Sequence, residues 1–298
     1  MRLPTRLLAL SHAVRGSEIV HIFSASHSSF LLATLPAWCV ARLLGRGTLI
    51  HYHSGRADDH LRRSPVARHV LRRTDSVVVP SRYLADIFAS HGIPTVIVGN
   101  AIEAAELRYR HRPVIRPLLV CTRNFEPGYA VDLVVRAFAD IKKEFRSARL
   151  LLAGRGSKEA AIRALVRELD VGEVEFCGAV PRNRIGELLD RADVFVNASL
   201  IDNMPVSILE AFAAGLPVVS AASGGIPYLV EHDRTGLLSA VGDVQALARN
   251  VRRVIADPLL ARRLAGNARE ESSRYEWPAI RAEWLHVYRA LARVDAER

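Results

Sequence analysis

Two carboxylates eight positions apart, Asp202 and Glu210, stand on either side of a proline in the run DNMPVSILE. Pro205 suits the first position of a helix, because its φ is already helical and it has no amide hydrogen to leave unpaired. Asp202 and Asn203 then lie at the helix cap, with Glu210 about one and a half turns inside. The N–H groups of a first helical turn bind anions, and the inner carboxylate accepts hydroxyl hydrogen bonds. Phosphate and sugar together indicate a nucleotide sugar as the ligand.

The longer run from Ser199 to Gly236 resembles the signature of the retaining glycosyltransferases of family 4, which have the GT-B fold. That signature is a Glu, seven residues and a second Glu, followed by a small-residue helix, a PVV strand and a Gly-Gly turn. Here DNMPVSILEAFAAGLPVVS and GGIPYLVEH match it, with Asp202 in place of the first Glu. The resemblance implies that Asp202 orients donor-sugar hydroxyls and that Glu210 holds the ribose. It also implies donor-binding roles for Asn203, Met204, Pro205, Gly224 and Gly225.

A single arginine extends the resemblance toward the middle of the chain. The segment VCTRNFEPGYAVDLVVRAF resembles the first motif of the family's C-terminal domain, where an Arg and a later Lys-Gly pair bind the donor diphosphate. Arg123 matches the Arg, whereas Tyr129 and Ala130, allowing one inserted residue, occupy the Lys and Gly positions. We therefore expect the phosphates to be neutralised by Arg123, assisted by backbone amides.

Two histidines end a predicted strand in LIHYHSG. We expect His51 and His53 to point to opposite faces of the sheet, so that only one of them faces the ligand cleft. The resemblance to a strand-end histidine of the family favours His53, in contact with the donor sugar or the acceptor; a buried, hydrogen-bonded histidine without chemistry is the alternative. A metal site would need a third ligand from the nearby run Asp58-Asp59-His60.

The resemblance implies a metal-independent enzyme, so no metal and no cofactor is expected besides the donor substrate, a UDP- or GDP-sugar. Gly154 and Gly156 follow a predicted strand, but Glu159 stands where a dinucleotide fingerprint has its third glycine. A nicotinamide or flavin site is therefore not expected.

From Pro117 onward, short apolar runs alternate with helical segments, which indicates a parallel sheet covered on both faces. The predicted strands are Leu118–Thr122, Arg149–Ala153, Val174–Cys177, Val194–Asn197, Pro217–Ala221 and Leu237–Ser239. The predicted helices are Val131–Phe145, Lys158–Leu169, Arg182–Arg191, Pro205–Ala214 and Ile226–His232. In such doubly wound domains ligands bind beyond the carboxyl ends of the strands.

The first part of the chain has fewer elements, with predicted strands at Glu18–Ser26, Leu49–His53 and Ser76–Val79. The overall expectation is an α/β protein of the GT-B class with two Rossmann-like doubly wound domains. Because the strand resembling the family's mid-domain HIFSAS comes so early, the resemblance implies an N-terminal domain without its first third, and we expect slow transfer from this chain alone.

The predicted domains are 1–112, on the acceptor side, and 113–274, which binds the nucleotide sugar. Residues 275–298 form a helix crossing back to the first domain, with one apolar stripe of Trp277, Ile280, Trp284, Val287 and Leu291.

Composition limits the class of protein. With 298 residues, 50% of them hydrophobic, and a mean hydropathy of +0.11, the chain can bury a large core. Its longest strongly apolar stretch, Phe30 to Ala41, is shorter than the ~20 residues of a membrane span, and the apolar patch within residues 1–16 is too short for a signal sequence. Three widely spaced cysteines suggest neither a disulfide framework nor a zinc site. A cytoplasmic protein is expected.

Positive charge is concentrated in the first part of the chain. Residues 1–116 hold 16 Arg against 7 acidic residues, a net charge of +9, whereas residues 117–298 have a net charge of +1. A short helix after Pro65 presents a cationic face, which predicts peripheral contact with the anionic inner face of a membrane; a solvated surface is the alternative. Nucleic acid is not an expected partner, because no aromatic residues are interleaved with the arginines.

The predicted function is transfer of a sugar from a nucleotide donor to a glycan or lipid-linked acceptor, with retention at the anomeric carbon. Two alternatives remain open. One is a catalytically impaired protein that binds nucleotide sugars, and the other is a GT-B epimerase acting on the sugar nucleotide.

Overall fold

A computed structural model describes residues 10–296 of the chain, with side chains placed up to residue 292. Most of the apolar patch considered as a signal sequence lies in residues 1–9, outside the described residues. The chain forms two compact units, one that ends at Asn100 and resumes at Ile280, and one from Ala101 to Ala279. The two units are defined by contacts within the structure, whereas a domain is defined by its ability to fold on its own. The predicted domain bounds, 1–112, 113–274 and 275–298, therefore stay a prediction.

The first unit is built on a parallel sheet of four strands in the order β1-β2-β3-β4. The strands are β1 (Ile19–Ser24), β2 (Gly47–Tyr52), β3 (Ser76–Val79) and β4 (Val96–Ile97). Residues 10–15 are helical, and a π-helical turn (Phe30–Thr34) leads into α1 (Leu35–Leu43). The following helices are α2 (Ala57–Arg63), α3 (Pro65–Arg72) and α4 (Arg82–Ser90). The three predicted strands are confirmed, and the helix predicted after Pro65 begins there because Ser64 accepts a hydrogen bond from the Ala67 amide at 3.1 Å.

The second unit is built on a parallel sheet of six strands in the order β10-β9-β8-β5-β6-β7. The strands are β5 (Leu118–Cys121), β6 (Arg149–Ala153), β7 (Val174–Gly178), β8 (Val194–Asn197), β9 (Val218–Ala221) and β10 (Leu237–Ser239). The helices are α5 (Val131–Glu144), α6 (Glu159–Glu168), α7 (Ile185–Arg191), α8 (Val206–Ala213), α9 (Val244–Ala256) and α10 (Pro258–Ser272).

Alternate residues of the central strand β5 belong to different apolar clusters. Leu119 and Cys121 pack with residues of α5, α6, α9 and α10, whereas Val120 packs with residues of α7 and α8. Because successive strand residues point to opposite faces, the sheet is covered on both faces. The predicted doubly wound architecture of this half of the chain is confirmed.

Two predicted helix bounds are wrong. The helix predicted over Ile226–His232 is a single 3₁₀ turn, Ile226–Tyr228. It stops there because the Glu231 amide donates to the Thr235 hydroxyl at 2.9 Å, which closes a separate turn. Pro205 has an extended ψ of 114° and caps α8 instead of opening it, so the helix begins at Val206.

The last helix, α11 (Trp277–Ala296), carries part of the predicted apolar stripe. Ile280, Val287 and Leu291 are buried. Trp277, in the first turn of the helix, is exposed, so the buried part of the predicted stripe begins at Ile280. None of the described helices combines the length and the apolar character needed to cross a membrane.

Candidate active site

Arg123 and Asp202 meet at the carboxyl ends of two neighbouring strands of the second unit. Arg123 follows β5 and Asp202 follows β8, and these strands pair in parallel, so the loops after them leave the sheet at the same edge. The Arg123 Nη2 donates to the Asp202 carboxylate, and Nη1 donates to Ser207 Oγ at 3.1 Å. The pair joins residues 79 positions apart in the chain. It lies where doubly wound sheets bind ligands.

Asp202 is a largely buried carboxylate. Burial raises its pKa above the ordinary value, while the Arg123 cation and the Asn203 amide, which donates to Asp202 Oδ1 at 2.9 Å, oppose the rise. The two contacts hold the carboxylate at one orientation. A carboxylate so placed has lone pairs left for the hydroxyl groups of a ligand.

Glu210 lies in the second turn of α8 with its side chain half-buried. Burial raises its pKa to about 7, against the opposing charges of Arg182 and Arg123. Within the described part of the chain, no group hydrogen bonds to its carboxylate, so both oxygens are available to a ligand. Arg182 was not among the predicted site residues; nothing in the local sequence relates it to Glu210.

The start of α8 offers unpaired amides. Val206 and Ser207 N–H groups have no hydrogen-bond partner among the described residues, as expected for a first helical turn. Met204, a predicted binding residue, packs its side chain into the apolar core, so only its backbone could meet a ligand. Asn203 is buried beside it. The Val206 and Ser207 amides are therefore available to an anion, whereas the Asn203 amide donates to Asp202 and Pro205 has no N–H. The donor-binding roles of Asn203, Met204 and Pro205 stay predictions.

The Gly224-Gly225 turn packs against the segment Asp202–Asn203. Gly224 has a φ of +52°, which favours glycine. The Gly225 amide donates to the Asp202 carbonyl at 3.0 Å, and a Cβ on Gly225 would lie only 1.9 Å from the Asn203 carbonyl oxygen. The backbone geometry therefore requires glycine at position 225 and favours it at position 224. They place the turn against the residues predicted to bind the donor.

A second glycine turn supports Arg123. A Cβ on Gly154 would lie 2.3 Å from the Arg123 carbonyl oxygen, and one on Gly156 would lie 2.4 Å from the Phe125 carbonyl oxygen. The two glycines let the loop after β6 pack directly against the backbone that follows β5. Ala130, which occupies the family's Gly position, has a left-handed backbone with φ 44° and ψ 47°. Glycine adopts that conformation without strain.

His51 and His53 lie in the first unit, and the prediction that they face opposite sides of the sheet is wrong. Residues two apart in a strand share a face, and their ring centroids are 3.9 Å apart. His51 is buried, which lowers its pKa to about 2; the pKa of the exposed His53 is also lowered by partial desolvation. The His53 ring makes no hydrogen bond with the described residues, although the His53 amide donates to the Ser24 carbonyl at 3.2 Å. The ring is therefore available to a ligand. The alternative of a buried, hydrogen-bonded His53 is wrong.

The structure also places residues around these histidines that the sequence did not connect with them. Trp284 lies 4.7 Å from His51, ring centroid to ring centroid, and His21 accepts or donates a 2.7 Å hydrogen bond with the Tyr288 hydroxyl. Trp284 and Tyr288 belong to the last helix and are far from β1 and β2 in the chain. No local pattern could have shown this contact.

The acidic residues near His60 are occupied by structural contacts. His60 Nδ1 forms a 2.8 Å hydrogen bond with the Tyr52 hydroxyl, and Asp59 pairs with Arg63 at 2.6 Å. Asp58 pairs with Arg62 at 2.8 Å. Across residues 10–292 no group of three metal-binding side chains has the geometry to hold an ion.

The basic helix is confirmed as an element, and its arginines have local partners. Arg72 donates to the His91 carbonyl at 2.6 Å, Arg68 to the Arg62 carbonyl at 3.1 Å, and Arg73 contacts His69. Their side chains remain at the surface of the first unit, where they could also meet an anionic partner.

Comparison with known proteins relates the chain to glycosyltransferases. The family model described as Glycosyl transferases group 1 matches residues 106–271, more than half of the chain. The GDP-mannose-dependent alpha-(1-6)-phosphatidylinositol monomannoside mannosyltransferase of Mycobacterium tuberculosis is 30% identical over 245 residues, covering 74% of this chain and 64% of that protein. The N-acetyl-alpha-D-glucosaminyl L-malate synthase of Bacillus anthracis is 34% identical over 180 residues, covering 60% of this chain and 46% of that protein. The chain thus spans only part of the length of these relatives.

Solved structures share the fold. HepE from Anabaena, in complex with UDP-glucose, matches with a TM-score of 0.84 at 18% identity, covering 97% of this chain and 84% of that one. Sucrose-phosphate synthase from Thermosynechococcus elongatus matches with a TM-score of 0.80 at 24% identity, covering 97% and 78%. The fold is therefore α/β of the GT-B class, with two Rossmann-like domains. With the family match over residues 106–271, the chain belongs to the Glycosyl transferases group 1 family.

Proposed function

We propose that this protein transfers a sugar from a nucleoside diphosphate sugar to a glycan or lipid-linked acceptor, with retention of the anomeric configuration. One observation carries the proposal: Arg123, the free amides at the start of α8 and the unpartnered Glu210 carboxylate lie around one strand-end loop. A cation and backbone donors suit a diphosphate, and a carboxylate suits ribose hydroxyls. The relatives' names include a GDP-mannose donor and a UDP-glucose complex, so UDP- and GDP-sugars are the donors to test.

In the proposed mechanism, the bond between the anomeric carbon and the diphosphate breaks while the acceptor hydroxyl oxygen bonds to that carbon on the same face. Negative charge develops on the leaving phosphate, which takes the hydroxyl proton. Arg123 and the α8 amides stabilise that charge where it forms. Asp202 orients donor-sugar hydroxyls, Glu210 holds the ribose, and His53 contacts the sugar or the acceptor. No step requires a metal or a cofactor, so none is proposed.

We also propose a cytoplasmic protein that meets the anionic inner face of the membrane through the basic helix region of the first unit. A lipid-linked acceptor would be reached from that position. Nucleic acid is not a proposed partner.

Product analysis tests the function. Purified protein is incubated with a panel of UDP- and GDP-sugars, with and without glycan and lipid-linked acceptors, and products are analysed by mass spectrometry and NMR. We expect transfer with the donor's anomeric configuration kept. Donor isomerised without acceptor would identify an epimerase, and donor bound but recovered intact under all conditions would identify a binding protein; either result would contradict the proposal.

A further inference from the structure

The Arg123 guanidinium is held on three sides by described residues. Its Cζ lies 4.0 Å from the centroid of the Tyr129 ring, Nη1 donates to Ser207, and Nη2 donates to Asp202. A guanidinium has five N–H donors, so three have no partner among the described residues, one of them the buried Nε. The Arg123 side chain is 11% exposed. This cation has little freedom to move and still has donors to offer.

The Tyr129 ring is itself fixed in place. Tyr129 ends the turn Pro127–Tyr129, and its amide donates to the Glu126 carbonyl at 3.0 Å. The ring packs against the apolar cluster that includes residues of α5 and α6. The preceding carbonyl, of Gly128, accepts hydrogen bonds from the Leu200 amide at 2.9 Å and the Ile201 amide at 3.3 Å. The turn that carries the ring is therefore bonded to the loop that carries Asp202.

We propose that Tyr129 is a positioning residue for the donor diphosphate and acts through Arg123. The proposal rests on the function proposed above. A guanidinium stacked on a ring face presents its in-plane N–H edge, which is the geometry that binds a phosphate through two hydrogen bonds. The ring also attracts the cation and blocks rotation of the side chain away from the site. Tyr129 thus keeps Arg123 oriented toward the phosphates without touching them.

The test is calorimetry with UDP and GDP as probes. Tyr129→Leu removes the ring and should weaken diphosphate binding about 2- to 30-fold, the range of a cation–π contact between exposed and desolvated sites. Tyr129→Phe keeps the ring and should restore most of the affinity. Uridine and guanosine, which lack phosphates, should bind the Leu variant as they bind the wild type. In an Arg123→Ala background Tyr129→Leu should have no further effect, because the cation that it positions is gone.

The second unit offers a matched control. Arg163 lies over the Phe176 ring at the same distance, 4.0 Å, outside the candidate site. Phe176→Leu removes an equivalent contact and should leave UDP and GDP affinity unchanged. An equal loss in both Leu variants would show a structural effect only and would overturn the proposal.

Two further results would overturn it: unchanged UDP and GDP affinity in a folded Tyr129→Leu protein, or an undiminished effect in the Arg123→Ala background. If Tyr129→Leu does not fold, pentafluorophenylalanine at position 129 keeps the ring's shape and withdraws its electrons; affinity equal to that of Tyr129→Phe would then refute the cation–π role. Failure of the two proposals is distinguishable. Wild-type protein that binds neither UDP nor GDP refutes the proposed function, whereas binding that is sensitive to Glu210→Ala and insensitive to Tyr129→Leu refutes only the role of Tyr129.

Discussion

Among single residues, Glu210 has the electrostatics best suited to a reversible ligand contact. Its pKa is raised to about 7 mainly by burial, and its carboxylate has no partner among the described residues. Ribose hydroxyls donate hydrogen bonds to the ionised form, so binding should pull the pKa down again. Ligand affinity and ionisation of this group are therefore linked.

We expect Glu210→Ala to weaken nucleotide binding by ~1.5–3 kcal/mol, the range for hydrogen bonds to a charged group. In the wild type, affinity for UDP or GDP should rise as the pH increases through about 7, where the carboxylate loses its proton, and fall as the pH drops below that value. Calorimetry between pH 5.5 and 8.5 measures both effects, with the exposed Glu270→Gln as a matched control.

The raised pKa of Glu210 also affects the stability of the ligand-free protein, but with a pH dependence opposite to that of ligand binding. Folding raises the pKa of Glu210, so the stability associated with its proton is present below the unfolded-state pKa and is lost as the pH rises to about 7. Glu210→Gln should remove this loss and also the pH dependence of binding. Unchanged affinity in folded Glu210→Ala protein would exclude Glu210 from the site.

Asp202 should discriminate among donor sugars and not among nucleotides. Its carboxylate pairs with Arg123, so its removal also frees that cation for the phosphates. Asp202→Ala should therefore lose affinity for a nucleotide sugar and keep or gain affinity for the bare nucleotide. Binding of the best nucleotide sugar and of its nucleotide is compared in both proteins. Equal losses for the two ligands would contradict this assignment.

At the scale of elements, the site depends on turns packed backbone to backbone. Asn203 carries the carbonyl that meets Gly225, so the glycine turn sets the position of the whole segment before α8. The sequence predicted both elements but not their contact. Nothing local encodes an approach between residues on successive loops.

Gly225→Ala should destabilise the protein by about 1–3 kcal/mol, the usual cost of overpacking, because its Cβ would lie 1.9 Å from a backbone oxygen that cannot move freely. Nucleotide affinity should fall as well, since the segment after Asp202 must shift. Urea unfolding and calorimetry measure the two effects. Gly172→Ala, where a Cβ meets no atom within 4 Å, is the control and should change neither. Equal behaviour of the two variants would contradict the packing argument.

At the scale of the whole molecule, the positive charge of residues 1–116 is the main uneven feature. Several of the arginines concerned have acidic or carbonyl partners within the first unit, which reduces but does not cancel the local excess. Exposed charge interactions are screened by salt. Membrane contact by this surface must therefore depend on both lipid charge and ionic strength.

Binding to liposomes should rise with anionic lipid content and fall with salt, because the Debye length shrinks from about 10 Å at 0.1 M to about 3 Å at 1 M. Liposome binding should be abolished when five arginines of the first unit are neutralised together: Arg62, Arg63, Arg68, Arg72 and Arg73. The control neutralises five exposed arginines of the second unit: Arg146, Arg167, Arg184, Arg249 and Arg262. Cosedimentation that is unaffected by the first set, or equally reduced by both, would refute the membrane proposal.

Among the described residues, the sequence by itself determined nine of the ten strands, six of the eleven labelled helices and the doubly wound α/β architecture of the second unit; the GT-B class came from the family resemblance. Apolar runs such as Leu118–Cys121 and the cap at Ser64 act over a few residues, so their effect is visible in the local pattern. It also identified Asp202 and Glu210 by type and spacing, and the family resemblance identified Arg123. Their roles in sugar transfer remain proposals.

Only the tertiary structure decided how those residues are held. The Arg123–Asp202 pair, the ring of Tyr129 beneath the guanidinium and the burial that raises the pKa of Glu210 each depend on strand order and on which faces of the elements are covered. The shared face of His51 and His53 follows from strand geometry, but the burial of His51 depends on the last helix. Burial, orientation and ionisation are set by residues distant in the chain, and no local pattern contains them.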